Sequence, residues 1–117
     1  MNTDTSCLFC KIAARDIPAD VVRESDRLLA FRDLHPQAPT HILIIPKEHI
    51  RSLAEIEEGH GDLLTDVAQA ATQLARAEAI DESGWRLVTN VGPDAGQSVF
   101  HLHFHLLGGR RMDWPPG

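Results

Sequence analysis

The stretch from Gly96 to Gly109, GQSVFHLHFHLLGG, limits what this chain can fold into more than any other. It sets His101, His103 and His105 at alternate positions, with Leu102, Phe104 and Leu106 among them. Alternation with period two belongs to a β-strand, whose successive side chains point to opposite faces. The spacing predicts a strand over residues 99–107, with imidazoles on one face and apolar side chains on the other. Water-facing strand surfaces are ordinarily built from Thr, Lys or Glu, so a row of imidazoles implies a chemical role.

The rest of the chain reads as short elements around that strand. Residues 1–6 are polar and expected to be flexible. Cys7 to Ala14 predicts a short helix, stopped before Pro18. Strands are expected over 20–24 and 28–31, joined at Ser25-Asp26 as a hairpin. After the rigid loop His35 to Pro39, the β-branched run Thr40 to Ile45 predicts a central strand closed by Pro46. Ser52 and Glu55 have the spacing of a capping box. Leu63, Leu64, Val67, Ala70, Ala71, Leu74 and Ala77 recur at three- and four-residue spacing, which predicts one long helix over 61–79. Trp85 to Val91 predicts a further strand, and 92–96 a loop. The pattern is that of an α+β domain on an antiparallel sheet, one domain over residues 1–117 with its core at about 7–109 and a tail at 110–117.

Charge and cysteine usage narrow the function. The net charge of -6 and eleven scattered Lys and Arg argue against a nucleic-acid binder. A small anionic substrate remains compatible, since backbone N–H groups and imidazoles can hold one phosphate. The N-terminus lacks a basic segment followed by an apolar run, and no apolar stretch reaches the length of a membrane span, so the cytoplasm is the expected location. Cys7 and Cys10 form a CxxC, which in such a chain suggests metal binding or redox work over a structural disulfide.

Three histidines first suggest a metal site, but a regular strand separates the Cα atoms of His101 and His105 by about 13 Å. The sequence also offers no nearby acid for a two-His-plus-carboxylate set, the next being Asp113. A division of labour fits better. Gly96, Gln97 and Ser98 bring backbone amides and a hydroxyl directly before the histidines, as a phosphate cradle would. A neutral His103 beside that phosphate can act as a nucleophile, and His105 can bind or protonate an atom on the same phosphorus.

His101-Leu102-His103-Phe104-His105-Leu106-Leu107 fits the histidine-triad pattern, His-φ-His-φ-His-φ-φ with φ apolar, at every position. Together with Gly96 to Phe100, Pro39 to Pro46 and the tail Gly108-Gly109-Arg110 to Trp114-Pro115-Pro116-Gly117, it resembles the HINT branch of the histidine-triad (HIT) family over nearly the whole chain. The resemblance implies a HIT-like fold: a five-stranded antiparallel sheet with one long and one or two short helices, continued into a ten-stranded sheet across a homodimer. It implies hydrolysis of purine nucleoside 5′-phosphoramidates, with His103 attacking the α-phosphorus to give a nucleotidyl-histidine that water then releases. His105 and Ser98 match its partners at the phosphate, with Gly96 and Gln97. Asn90 matches a phosphate or ribose contact, Asp33 the carboxylate at the ribose hydroxyls, and Phe9, Phe31 and Leu34 the base pocket. No catalytic metal is implied. His41 is a candidate buttress on the adjacent strand.

The resemblance to prokaryotic members also implies a structural zinc held by Cys7, Cys10, His49 and His101. Trp114 matches a tail residue that shapes the leaving-group pocket from the other subunit; packing on its own subunit is the simpler alternative. The expected partners are a purine nucleoside monophosphate or phosphoramidate and a second copy of the chain, with no nucleic acid and no membrane. The competing readings are a dinucleoside-polyphosphate hydrolase or nucleotidylyl transferase of the same superfamily, or a nucleotide- or partner-binding module.

Overall fold

The computed structural model describes residue 4 and residues 6–117, so most of the segment expected to be flexible lies outside the described residues. In chain order the elements are α1 (Leu8–Ala13), β1 (Val21–Glu24), β2 (Leu28–Arg32), β3 (Thr40–Pro46), α2 (Gly61–Ala77), β4 (Trp85–Val88) and β5 (Phe104–Gly108). Short 3-10 turns occupy Leu53–Glu55, Glu58–His60 and Pro93–Ala95. The strands form one antiparallel sheet in the order β1-β2-β3-β5-β4. The expected five-stranded α+β architecture is thus observed.

The runs Leu28 to Phe31 in β2 and Ile42 to Pro46 in β3 are apolar because both faces are covered. Leu28, Ala30, Ile42 and Ile44 face α2 with Leu102, Phe104 and Leu106, and they meet Leu63, Val67, Ala70, Ala71 and Leu74. Leu29, Phe31, Leu43 and Ile45 face the other way and pack on Phe9 and Ile12 of α1. A two-sided strand loses the polar alternation of an exposed one. Helix α2 differs from expectation in phase at its end: Ala75 is buried and Ala77 exposed, and the helix stops two residues early. Among the described residues no helix is long and apolar enough to cross a membrane.

The histidine strand is shorter than its sequence pattern. Residues 99–103 are irregular, because Leu102 N–H bonds the carbonyl of Ile50 instead of joining the ladder. β4 likewise ends at Val88, where Val91 was expected. Beyond it, Thr89 Oγ1 donates to the carbonyl of His103 at 2.8 Å, which anchors the irregular stretch from the other side. At the far end of β5, Gly108 meets Ile80, leaving no room for a Cβ. At Ser52 the hydroxyl accepts from Ala54 N–H, so the cap is present on a 3-10 turn.

Candidate active site and metal centre

A cavity of about 360 Å³ opens on the α1 face of the sheet. That lies within the size range of small-molecule sites. Its walls come from α1 (Leu8, Phe9, Ile12), the segment Ile17 to Asp20, the end of β2 with its following loop (Phe31 to His35), Leu43, Ser98, Val99, His103 and His105. Of the residues singled out from sequence, Phe9, Phe31, Asp33, Leu34, Ser98, His103 and His105 therefore meet in one place. Asn90, Gly96, Gln97 and Trp114 do not line it. Sequence reasoning missed Ile17 to Asp20, which lead into β1 and reach the cavity through its pairing with β2, and Arg32 and His35, which flank Asp33 and Leu34 in the chain.

The tautomer of the neutral His103 ring is fixed by its backbone. Its Nδ1 lies 2.7 Å from the carbonyl oxygen of His101, an acceptor only, so Nδ1 carries the proton and Nε2 the lone pair. The ring is buried and meets the edge of Phe9 at a centroid distance of 5.1 Å. His105 is oriented through a chain of bonds. Gln37 N–H donates to His41 Nδ1 at 3.0 Å, so the His41 proton sits on Nε2. That Nε2–H donates to His105 Nδ1 at 2.9 Å, which leaves His105 with a donor at Nε2. Burial first, then His103 and His41, pull the His105 pKa down to about 4 against the opposing pull of Asp33. Burial lowers His41 as well, again opposed by Asp33.

An acid does approach these histidines, contrary to the expectation from sequence spacing. Asp33 Oδ2 lies 3.5 Å from His41 Nε2. Asp33, His41 and His105 could in principle hold a cation. The tautomers oppose it: His41 Nε2 carries a proton because Nδ1 accepts the Gln37 N–H, so no lone pair faces the group. Asp33 Oδ1 also accepts the His35 N–H at 2.8 Å and so holds the loop at the cavity rim.

The glycine loop is built differently from a cradle of free amides. Gly96 N–H bonds Pro93 O and Gln97 N–H bonds Gly92 O. The Gln97 side chain is buried; Oε1 accepts the Gly92 N–H at 2.9 Å and Nε2 donates to the carbonyls of Arg51 and Val99. The Gly96 and Gln97 donors are thus used in shaping the loop. Gly96 serves by its positive φ of 92°, which closes the Pro93–Ala95 turn and sends the chain to Ser98. Trp114 is 82% exposed, which overturns packing on its own subunit.

Beside the cavity, Cys7, Cys10, His49 and His101 bring one ligand atom each within 4.8 Å of one another. Cys7 Sγ to His101 Nδ1, Cys10 Sγ to His49 Nδ1 and His49 Nδ1 to His101 Nδ1 are each 3.3 Å, and Cys10 Sγ to His101 Nδ1 is 3.5 Å. A tetrahedron with Zn–S of about 2.3 Å and Zn–N of about 2.0 Å has N–N and S–N edges of about 3.3–3.6 Å. His101 Nε2 donates to Pro46 O at 2.8 Å, which leaves the Nδ1 lone pair on the cluster side. Burial lowers the His101 pKa to about 4, so the ring is neutral, as a ligand must be. The donor set fits zinc in number, type and spacing.

Sheet order and the alternate histidines over a cavity define a histidine-triad protein. The HIT domain family model matches residues 14–112, and the chain belongs to that family. It is 50% identical over 116 residues to the 14 kDa zinc-binding protein of Zea mays, covering 97% of this chain and 90% of that protein. It is 47% identical over 117 residues to adenylylsulfatase HINT1 of Arabidopsis thaliana, covering 98% and 79%. A solved HIT family hydrolase from Legionella pneumophila Philadelphia 1 superposes with a TM-score of 0.93 at 55% identity, covering 95% of this chain and 99% of that one.

Proposed function

We propose that this protein is a hydrolase that cleaves the P–N bond of AMP- or GMP-type 5′-phosphoramidates through a nucleotidyl-histidine. The observation that carries the reading is the His103 Nδ1 to His101 carbonyl bond, which makes Nε2 the nitrogen that bears the lone pair of the neutral ring, at the cavity wall. The HIT family hydrolase at 55% identity supports hydrolysis.

In this reading the purine lies against Phe9, Phe31 and Leu34, and the ribose hydroxyls reach Asp33. Ser98 and His105 Nε2–H donate to phosphate oxygens. His103 Nε2 attacks the α-phosphorus, the N–P bond forms and the P–N bond to the amine breaks. His105 is held neutral, so it acts as a hydrogen-bond donor, and the departing amine takes its proton from water in the cavity. The hydroxide left by that water then attacks phosphorus, the P–O bond forms and the P–N bond to His103 breaks, which releases the nucleoside monophosphate and restores the lone pair on His103 Nε2. Cys7, Cys10, His49 and His101 suit a structural zinc, which when bound would tie the start of α1 to His49 and to the segment that leads into β5, and would hold both thiols as thiolates. The 14 kDa zinc-binding relative supports that assignment. The protein is proposed to act in the cytoplasm as a homodimer, in which Trp114 borders the leaving-group pocket; sedimentation at micromolar concentration tests the dimer.

A second reading keeps the same attack with a different leaving group, and the relative named adenylylsulfatase favours including it. Comparing kcat/KM for an adenosine phosphoramidate, adenylyl sulfate, a diadenosine polyphosphate and a sugar nucleotide separates the two. The phosphoramidate is expected to be the best substrate; a larger value for any other overturns the P–N assignment.

A further inference from the structure

We infer that the Cys7, Cys10, His49 and His101 centre anchors one wall of the nucleoside pocket and that Phe9 is the positioning residue through which it acts. The inference rests on the nucleotide reading above and adds a purpose for the metal-type centre within it.

Helix α1 is only six residues long, too short to persist by its own hydrogen bonds. Three functions sit at its start: Cys7 at the N-cap, then Phe9 and Cys10 in the first turn. Cys7 Sγ accepts the Cys10 N–H at 3.3 Å, so the thiol that would hold metal also caps the helix. Phe9 projects from between the two cysteines with its ring edge-on to three others. The centroids lie 5.1 Å from His103, 6.0 Å from His101 and 5.6 Å from Phe31. Thus one ring touches a member of the metal-type cluster, the nucleophile and the opposite pocket wall. Leu8 and Ile12 of the same helix also line the cavity. With the cluster closed, α1 is pinned to His49 and His101. With it open, α1 is held by the burial of Phe9 and Ile12 alone, and the pocket loses a fixed wall before any strand moves.

Pocket order and general stability give different readouts. Loss of folded protein lowers the number of binding sites but leaves the Kd of the remainder unchanged. Loss of the wall raises Kd at full stoichiometry. The experiment is calorimetric titration of AMP into the full chain, zinc-loaded and chelator-stripped, with near-UV circular dichroism as the check on folding. Stripping is expected to weaken AMP binding about tenfold at unchanged stoichiometry. By linkage, saturating AMP should tighten zinc by the same factor in competition with a chromogenic chelator. In Phe9→Leu, which keeps an apolar residue, the coupling factor should fall to within about twofold of unity while zinc content stays at one per chain. Should the stripped protein lose its near-UV signal, the competition measurement on wild type and Phe9→Leu decides alone. A coupling factor that survives intact in Phe9→Leu overturns the role of Phe9. AMP binding indifferent to metal overturns the anchor, and failure of the zinc-loaded wild type to bind AMP sinks the anchor and the nucleotide reading together.

Discussion

His41 Nε2 lies 2.9 Å from His105 Nδ1, across the paired strands β3 and β5. The bond has a direction, because the Gln37 N–H on the far side of His41 forces its proton toward His105. A residue outside the alternate triad therefore decides which nitrogen of His105 can donate to substrate. His41→Ala is expected to lower kcat/KM by about 10- to 100-fold, the size of one buried hydrogen bond of about 1–3 kcal/mol. His41→Gln retains an N–H donor and should recover part of that loss. Steady-state kinetics of the two variants at equal folded fraction check this; equal loss in both would assign His41 to packing alone.

The lowered pKa of His105, about 4, sets its charge across the working range. Neutral imidazole prevails in the folded protein at any pH well above that value, while an unfolded histidine protonates near 6.5. Between roughly pH 6.5 and 4 the unfolded chain binds the proton that the folded chain refuses, so this group makes stability fall as pH falls through that window. Its ring resonances are expected to stay constant from pH 5.5 to 8 in NMR titrations. A midpoint near 6.5 for His105 would contradict the neutral-donor role.

Gln97 is predicted to be a loop staple. Gln97→Ala leaves the Gly92 N–H and two carbonyls without their partner, at a cost of about 1–3 kcal/mol. The expected result is a lower Tm and faster hydrogen exchange in 92–99. If stability is unchanged and only phosphate affinity falls, the staple assignment fails.

How far the sequence reached is clearest at these residues. Strands β2 and β3 were legible because burial on both faces demands the apolar runs Leu28 to Phe31 and Ile42 to Pro46, and the triad was legible because its alternation is local. The limits of β5 were not, since Leu102 bonds Ile50, a partner 52 positions away in the chain. Separation in sequence also hid Asp33 from the triad: it lies far from His105 along the chain, yet stands 3.5 Å from His41, which bonds His105. The bonding inside the Gly96-Gln97 loop was hidden for another reason: a glycine-rich loop reads alike whether its N–H groups are free or bonded within the turn.

Trp114 is exposed on the protomer, so its removal should leave folding stability within about 0.5 kcal/mol. Trp114→Ala is expected to change the order of preference among amine leaving groups, with the largest loss for aromatic amines. An unchanged order across a series of phosphoramidates removes the substrate-selecting role.

The assignment of His103 as nucleophile is tested most directly by intact-protein mass spectrometry of an acid-free quench during turnover of an adenosine phosphoramidate. Wild type is expected to gain the mass of one adenylyl group, mapped to His103 and lost on further incubation, while His103→Ala gains none and turns over at least a thousandfold more slowly. A His103→Ala protein that keeps the wild-type rate, or an adduct mapped to another residue, would contradict it.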